Sequence, residues 1–287
     1  MRRFAYHEPT TLAAASALKK ELGDEAFFFA GGTDLLVEIR ERLRTVRHVI
    51  NIKKIPNLDG FSYDDSDGLR FGALTTAREL ETSAEVRRHY PNFAAALSEL
   101  GSIQVRNRAT VIGNICRASP SADTIPPLIA DEAAIEIYNP DGNRTVPLAE
   151  FFTGPGRTVL SPGEIAVGLS VPAPRPDSAR AYIKHGRRKA MELATVGVAV
   201  SLDRDGGRCS DIRVALGAVG PTVLRASEAE ALLKGSDLSP DAIGAAAAKA
   251  MQECTPISNV RSSADYRRRM VGVLTERAIL QALEQTA

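Results

Sequence analysis

Three prolines in the run Pro172-Ala173-Pro174-Arg175-Pro176 set the strongest limit on how this chain folds. Each fixes φ at about −65° and lacks a backbone N–H, so the run continues neither a helix nor an inner strand. It is expected to divide the chain into domains of residues 1–176 and 177–287. With 287 residues, 44% of them hydrophobic, the chain is long enough to bury more than one core. Before the run, helix and strand signals alternate: helical periodicity from Thr11 to Leu22, an apolar strand from Ala26 to Ala30, a helix from Asp34 to Leu43 and a strand from His48 to Ile52. That small α/β unit is expected to end near Ile55-Pro56, leaving 57–176 as a second subdomain. Here the pattern predicts a strand around Leu69 to Phe71, helices within Ala77 to Leu100, and a hairpin over Ile135 to Val146 turning at Asn139-Pro140-Asp141-Gly142. Beyond the prolines come strands at Ala181–Lys184, Val196–Leu202 and Ile212–Val219, with Asp203-Arg204-Asp205-Gly206-Gly207 as a turn. Helices follow at Ala226–Leu233, Pro240–Gln252 and Ser263–Leu283, an α+β order.

Lys+Arg number 36 against 35 Asp+Glu, and a net charge of +1 gives no general attraction to nucleic acid or anionic membrane. Met1-Arg2-Arg3-Phe4 runs into Ala5-Tyr6-His7-Glu8-Pro9 rather than an apolar stretch, so it does not read as a secretory or twin-arginine leader. No segment approaches the ~18 apolar residues of a membrane span, and the chain is expected to be soluble and cytoplasmic. Cys116, Cys209 and Cys254 lie far apart, as do His7, His48, His89 and His185. No metal or iron–sulfur ligand spacing is present, and no metal site is expected. Without a nucleophile motif, no catalytic residue is assigned, and a cofactor is expected to supply the reactive atom.

Two loops are candidates to hold one. Ala30-Gly31-Gly32-Thr33-Asp34 joins the apolar run ending at Phe29 to the helix pattern starting at Leu35. Glycines there let the backbone take positive φ and bring N–H groups near a ligand, while the following helix start suits a pyrophosphate. Thr33 or Asp34 is expected to cap that helix. A strand-to-helix turn built for geometry alone has the same glycines. The second loop is a predicted strand at Thr110-Val111-Ile112-Gly113-Asn114-Ile115 running into Cys116-Arg117-Ala118-Ser119-Pro120-Ser121-Ala122-Asp123, then a helix through Thr124 to Ala130. Ser119 and Asp123 could meet a cofactor's polar atoms, or Asp123 could simply cap the helix.

Together, these loops and the lead-in Gln104-Val105-Arg106-Asn107-Arg108 resemble the FAD-binding subunit of the xanthine dehydrogenase and carbon monoxide dehydrogenase family of molybdenum hydroxylases. Phe151-Phe152-Thr153-Gly154-Pro155-Gly156-Arg157-Thr158, Leu160-Ser161-Pro162-Gly163-Glu164-Ile165, and Pro256-Ile257-Ser258 to Tyr266-Arg267-Arg268 extend the resemblance over nearly the whole chain. Ile112 departs from it, since relatives usually carry glycine there, and Glu192 stands where many carry aspartate.

The resemblance implies an α+β chain: a two-subdomain FAD-binding region of the vanillyl-alcohol oxidase/MurB-like (PCMH) type, followed by a carbon monoxide dehydrogenase flavoprotein C-terminal domain. It implies that Phe29, Ala30, Gly31, Gly32, Thr33, Asp34 and Leu35 wrap the FAD pyrophosphate, and that Thr110, Gly113, Asn114, Ser119 and Asp123 form a second wall. Leu100, Leu160 and Lys184 match positions near the cofactor; Leu160 is equally a core position and Lys184 equally a solvated charge. A cation beside the flavin would stabilise its reduced anion. The implied activity is electron transfer from [2Fe-2S] clusters of a small subunit, fed by a molybdenum cofactor on a large subunit, through FAD to an external acceptor. The implied assembly is a dimer of heterotrimers. The alternatives are a free-standing FAD-dependent reductase or oxidase, against which the C-terminal match argues, and a docking subunit without flavin.

Overall fold

Thr11 and Gly23 delimit the first helix: the Thr11 hydroxyl accepts from the Ala14 N–H, and Gly23 ends the turn at φ +63°. The computed structural model describes residues 3–285, so Arg2 of the N-terminal arginine pair lies outside the described residues. Helix α1 (Leu12–Leu22) connects β1 (Ala5–His7) to β2 (Ala26–Phe29), and both strands run parallel to β3 (His48–Asn51), giving the order β1-β3-β2. The short helix α2 (Leu35–Arg40) lies between β2 and β3 and stops before the predicted Leu43, because Arg42 takes φ +59°.

A five-stranded antiparallel sheet follows, in the order β4 (Phe61–Asp64), β5 (Gly68–Gly72), β10 (Ile165–Val171), β6 (Ala134–Tyr138) and β7 (Arg144–Pro147). The predicted hairpin is present, with Ala134 opposite Pro147 and Ile137 opposite Arg144. Between β5 and β6 run α3 (Ala77–Thr82), α4 (Ala84–His89), α5 (Pro91–Glu99), α6 (Ile103–Arg106), α7 (Val111–Cys116) and α8 (Ile125–Ala130). Thr76 and Glu79 form a capping box on α3. The segment predicted as a strand at 110–115 is instead helix α7. Thr110 is its N-cap, its hydroxyl accepting from the Gly113 N–H at 3.1 Å, which overrides the β-branched run Thr110-Val111-Ile112. A small ribbon, β8 (Phe152–Gly154) with β9 (Arg157–Thr158), precedes β10.

The last sheet is the meander β11 (Ser178–His185), β12 (Val196–Asp205), β13 (Arg208–Gly217) and β14 (Leu224–Arg225), with Gly206 and Gly207 turning β12 into β13 at positive φ. Its strands bury both faces. Val196, Val198, Val200 and Leu202 join Val214 and Leu216 in a core beneath α9 (Ser227–Leu233), α10 (Pro240–Glu253) and α11 (Ala264–Glu284). The alternate positions Tyr182, Ala199 and Ala215 join the core of the preceding region. Period-two alternation thus makes this sheet a wall shared by two cores, each large buried aliphatic contributing about 1.5–3 kcal/mol. Arg267, fully buried, donates to the carbonyls of Thr195 and Ala218 and to Asn259 Oδ1, so the Tyr266-Arg267-Arg268 motif pins α11 to this sheet.

Candidate functional site

The two glycine-bearing loops meet. A side chain on Gly31 would overlap the Arg108 carbonyl, so only glycine lets the chain after β2 lie against residues 108–109. Gly32 takes φ +74°, and the Phe29 ring fills the space its side chain would need. Helix α2 then starts with the Leu36 N–H donating to the Gly32 carbonyl. Neither Thr33 nor Asp34 caps it as expected: Asp34 is the N-cap but has a helical backbone and no side-chain cap bond. Among the described residues, the N–H groups of Gly32, Thr33 and Asp34 donate to no protein acceptor. Leu35, half-buried, anchors the loop in a small cluster with Phe29, Ile39 and Val49.

Cations surround this loop. Lys53 Nζ sits 3.6 Å from the Phe29 ring centre, and its pKa is lowered by burial and then by Arg108. Arg117, just beyond α7, pairs with Glu38 at 3.0 Å and approaches Asp34 at 4.0 Å, tying α2 to the second loop. Lys53 was not singled out from the sequence, and Arg108 and Arg117 stood there only within the quoted runs 104–108 and 116–123, without a role of their own.

In the second loop, Gly113 is exposed, and a Cβ there would stand 2.8 Å from the capping Thr110 hydroxyl. Asn114 is oriented by the Thr124 hydroxyl, which donates to its Oδ1 at 2.7 Å. Ser119 accepts weakly from the Ser121 N–H, after Ala118 turns the chain at φ +51°. Ile112, the departure from the family pattern, is 3% exposed and packs in the main core. Its bulk therefore points away from the surface where Gly113 lies.

Asp123 does not cap helix α8 as considered. It is 4% exposed, and its carboxylate is held from strand β11: the Tyr182 hydroxyl donates to Oδ1 at 3.0 Å and Lys184 Nζ to Oδ2 at 2.9 Å. Burial pushes the Asp123 carboxyl up to about 6, with Lys184 and Tyr182 pulling it down and Glu99 adding to the rise. Lys184 is not a solvated charge either, since its side chain is 5% exposed and also donates to the Glu99 carbonyl. Leu100 follows Glu99, and its carbonyl accepts from Arg106, itself paired with the buried Glu81. A cavity of about 300 Å³ opens beside this group, lined by Glu99, Gly101, Gln104 and Lys189.

The structure thus gathers the candidates into two groups: 29–35 against 108–117, and Leu100, Asp123 and Lys184. Residues 114–124 connect them. Leu160 stands apart, half-buried against the main core beside Thr158, without a polar contact to either group among the described residues. Tyr182 and Arg180, two residues apart on β11, were missed; Arg180 Nε donates to the buried Asp131 at 2.8 Å. No group of three or more His, Cys, Asp and Glu among the described residues could hold a metal. Chemically, this arrangement offers N–H donors and cations to an anion, and a buried Lys–Asp–Tyr cluster to a polar ring system.

Residues 2–174 match the family described as the FAD binding domain in molybdopterin dehydrogenase, and residues 181–282 the CO dehydrogenase flavoprotein C-terminal domain. The chain is 33% identical to the xanthine dehydrogenase FAD-binding subunit of Escherichia coli O157:H7, covering 97% of this chain and 96% of that one. It is 36% identical to the carbon monoxide dehydrogenase medium chain of Hydrogenophaga pseudoflava, over 99% of each. A solved structure of carbon monoxide dehydrogenase from Hydrogenophaga pseudoflava superposes with a TM-score of 0.95 at 38% identity, covering 100% of this chain and 99% of that one. Quinoline 2-oxidoreductase from Pseudomonas putida 86 superposes at 0.91 with 27% identity, covering 99% of this chain and 98% of that one. The sharing of both domains, in order and over nearly the full length, means that this chain belongs to the FAD-binding subunits of the xanthine dehydrogenase and carbon monoxide dehydrogenase family of oxidoreductases.

Proposed function

We propose that this chain is the electron-relay subunit of a molybdenum hydroxylase, holding FAD along the line from Gly31 to Lys184. The observation that carries the reading is the abutment of the Gly31 turn on residues 108–109, which sets free N–H groups beside Lys53, Arg108 and Arg117. A diphosphate needs such donors, so the residues present fit FAD. In this reading Phe29 to Leu35, with Thr110 and Gly113, hold the pyrophosphate. Asn114, Ser119, Asp123, Lys184 and Leu100 line the remainder, and Leu160 supports from the core. A bound FAD would supply a carrier able to take up and pass on electrons singly or in pairs. Lys184 donates to Asp123 at the cleft, while Tyr182 orients that carboxylate. The domains are 1–176, with subdomains 1–56 and 57–176, and 177–287.

Electrons would arrive from [2Fe-2S] clusters of a small subunit, supplied by a molybdenum subunit, in a dimer of heterotrimers in the cytoplasm. The similarity to subunits of named multi-subunit enzymes supports this assembly. Among the described residues no helix is long and apolar enough to cross a membrane. Co-expression with the neighbouring subunits and metal analysis of the purified complex test it. FAD, iron and molybdenum in one complex is the expected result. A chain that stays colourless after FAD reconstitution removes the flavin reading, and full turnover by the isolated chain removes the subunit reading.

A further inference from the structure

Two residues past Lys184, strand β11 gives way to a loop that carries Arg187, Arg188 and Lys189, with Met191 and Leu193 exposed beyond them. Met191 takes φ +52°, a conformation that a side chain of its kind seldom adopts and that marks the loop as specifically shaped. The segment before α11 lies against it: Arg187 donates to the Val260 carbonyl, and the Tyr266 hydroxyl lies 3.1 Å from His185 Nε2. That segment presents Ile257 and Val260, the latter 93% exposed, and Arg261, whose guanidinium reaches back to Ser121 Oγ beside the proposed cofactor wall.

The two segments therefore combine four exposed apolar side chains with four cations. Glu192 is the carboxylate among them, paired with Arg188 and held below the usual range by Arg188 and then by Arg187 and Arg261. Arg187, Lys189 and Arg261 form no salt bridge among the described residues. The arginine-rich stretch 40–47 is more balanced: Arg40, Arg44 and Arg47 are paired with Glu41, Glu38 and Glu25, and Arg42 alone of its four arginines forms no salt bridge among the described residues. In a chain of net charge +1, unbalanced cations together with exposed methionine, leucine, isoleucine and valine side chains are a local specialisation. Electron-transfer encounters use this composition, a small apolar centre for contact and a charged rim for steering.

We propose that the surface formed by residues 186–193 and 257–261 docks an acidic one-electron carrier protein, the external acceptor of the relay. The proposal rests on the electron-relay reading above. Each carrier would take one electron, so two carriers would be needed to remove the electron pair that a bound FAD would supply, its protons passing to solvent. The unpaired cations steer the carrier's carboxylates, and Met191 adapts to its apolar centre.

The test uses the assembled, FAD-loaded complex, chemically reduced and freed of reductant, and two forms of one carrier. Native cytochrome c is basic; succinylation of its lysines makes it acidic while keeping the haem. Stopped-flow reduction of the succinylated form is expected to be at least about tenfold faster at low salt, with the two forms converging as ionic strength rises. Combining Arg187→Glu, Lys189→Glu and Arg261→Glu is expected to reverse the preference without changing the rate to a small neutral quinone. Equal or faster reduction of native cytochrome c by the unaltered complex overturns the proposal. So does a triple variant with the same preference, or one that no longer assembles, which would give the patch to a partner subunit. Absence of FAD from the unaltered complex is a different result: it removes the relay reading itself and the proposal with it.

Discussion

Replacing Lys184 by methionine keeps most of the side-chain volume but leaves the Asp123 carboxylate with the Tyr182 hydroxyl alone, in a site where it is 4% exposed. The Asp123 carboxyl already stands at about 6 rather than the ordinary 3.8, a gap equivalent to about 3 kcal/mol. Because the folded-state value is raised, this group favours folding as pH falls from about 6 toward 3.8. It withdraws that support as pH rises through 6. Lys184 is the largest influence opposing the rise, so Lys184→Met moves the carboxyl higher and extends the loss to higher pH. Breaking a buried pair by removing one partner costs about 3–5 kcal/mol. At pH 8, where the wild-type carboxylate is ionised, the variant is expected to be about 3 kcal/mol less stable. At pH 5 the carboxyl is protonated in both proteins, and the deficit should shrink to about 1 kcal/mol or less. Urea titrations at the two pH values measure this, with equal m-values confirming comparable unfolding. Adding Asp123→Asn to Lys184→Met should recover most of the pH 8 loss. A deficit independent of pH, or a double variant no better than the single one, would refute the reasoning.

Gly31→Ala drives a methyl into the Arg108 carbonyl, so FAD retention should fall at least about tenfold with unchanged circular dichroism; full retention would remove the two-loop cradle. Glu164 is held at about 2, chiefly by Arg144, and it also accepts from the Ser161 N–H and Asn139. As a depressed carboxyl, it gives stability above about pH 4.5 that is lost as pH falls toward 2. Glu164→Gln should cost about 2 kcal/mol at pH 7 and very little at pH 2, read by the same urea titrations. Tyr182→Phe removes one donor to Asp123 and should raise its carboxyl titration by about one pH unit, followed by infrared spectroscopy with Asp123→Asn assigning the band; an unchanged titration would contradict the orienting role.

Elements with both periodicity and turn chemistry were legible from the residues. The hairpin over 134–147 carries apolar alternation around Asn139-Pro140-Asp141-Gly142, and helix α1 shows both of its end signals. Thr110-Val111-Ile112 misled because β-branched residues favour strands, while a single hydroxyl accepting the Gly113 N–H was enough to start a helix. Strand β10, at the centre of its sheet, went unassigned although Ile165, Val167, Leu169 and Val171 alternate; its partners β5 and β6 are remote in sequence. The glycine loop was readable as a turn of positive φ, a local requirement met at Gly32, whereas the contact of Gly31 with Arg108 joins stretches remote in sequence. The partners of Asp123 were a different matter, since Tyr182 and Lys184 come to it only after the last sheet packs against the preceding region. Family resemblance named Lys184 but gave no reason for its burial.

Strand β11 sends Arg180, Tyr182 and Lys184 from one face to Asp131 and Asp123, so its alternation is matched to carboxylates from a distant stretch of chain. The C-terminal region is consequently not an interchangeable part. A chimera that takes it from a relative differing at position 180, 182 or 184, while keeping the host's 118–131 segment, would strand buried charges unless both sides of this register were exchanged together. Recombination among such subunits has its natural seam elsewhere than at the prolines preceding β11, because the unit that must travel intact is a strand together with the loop and helix it grips.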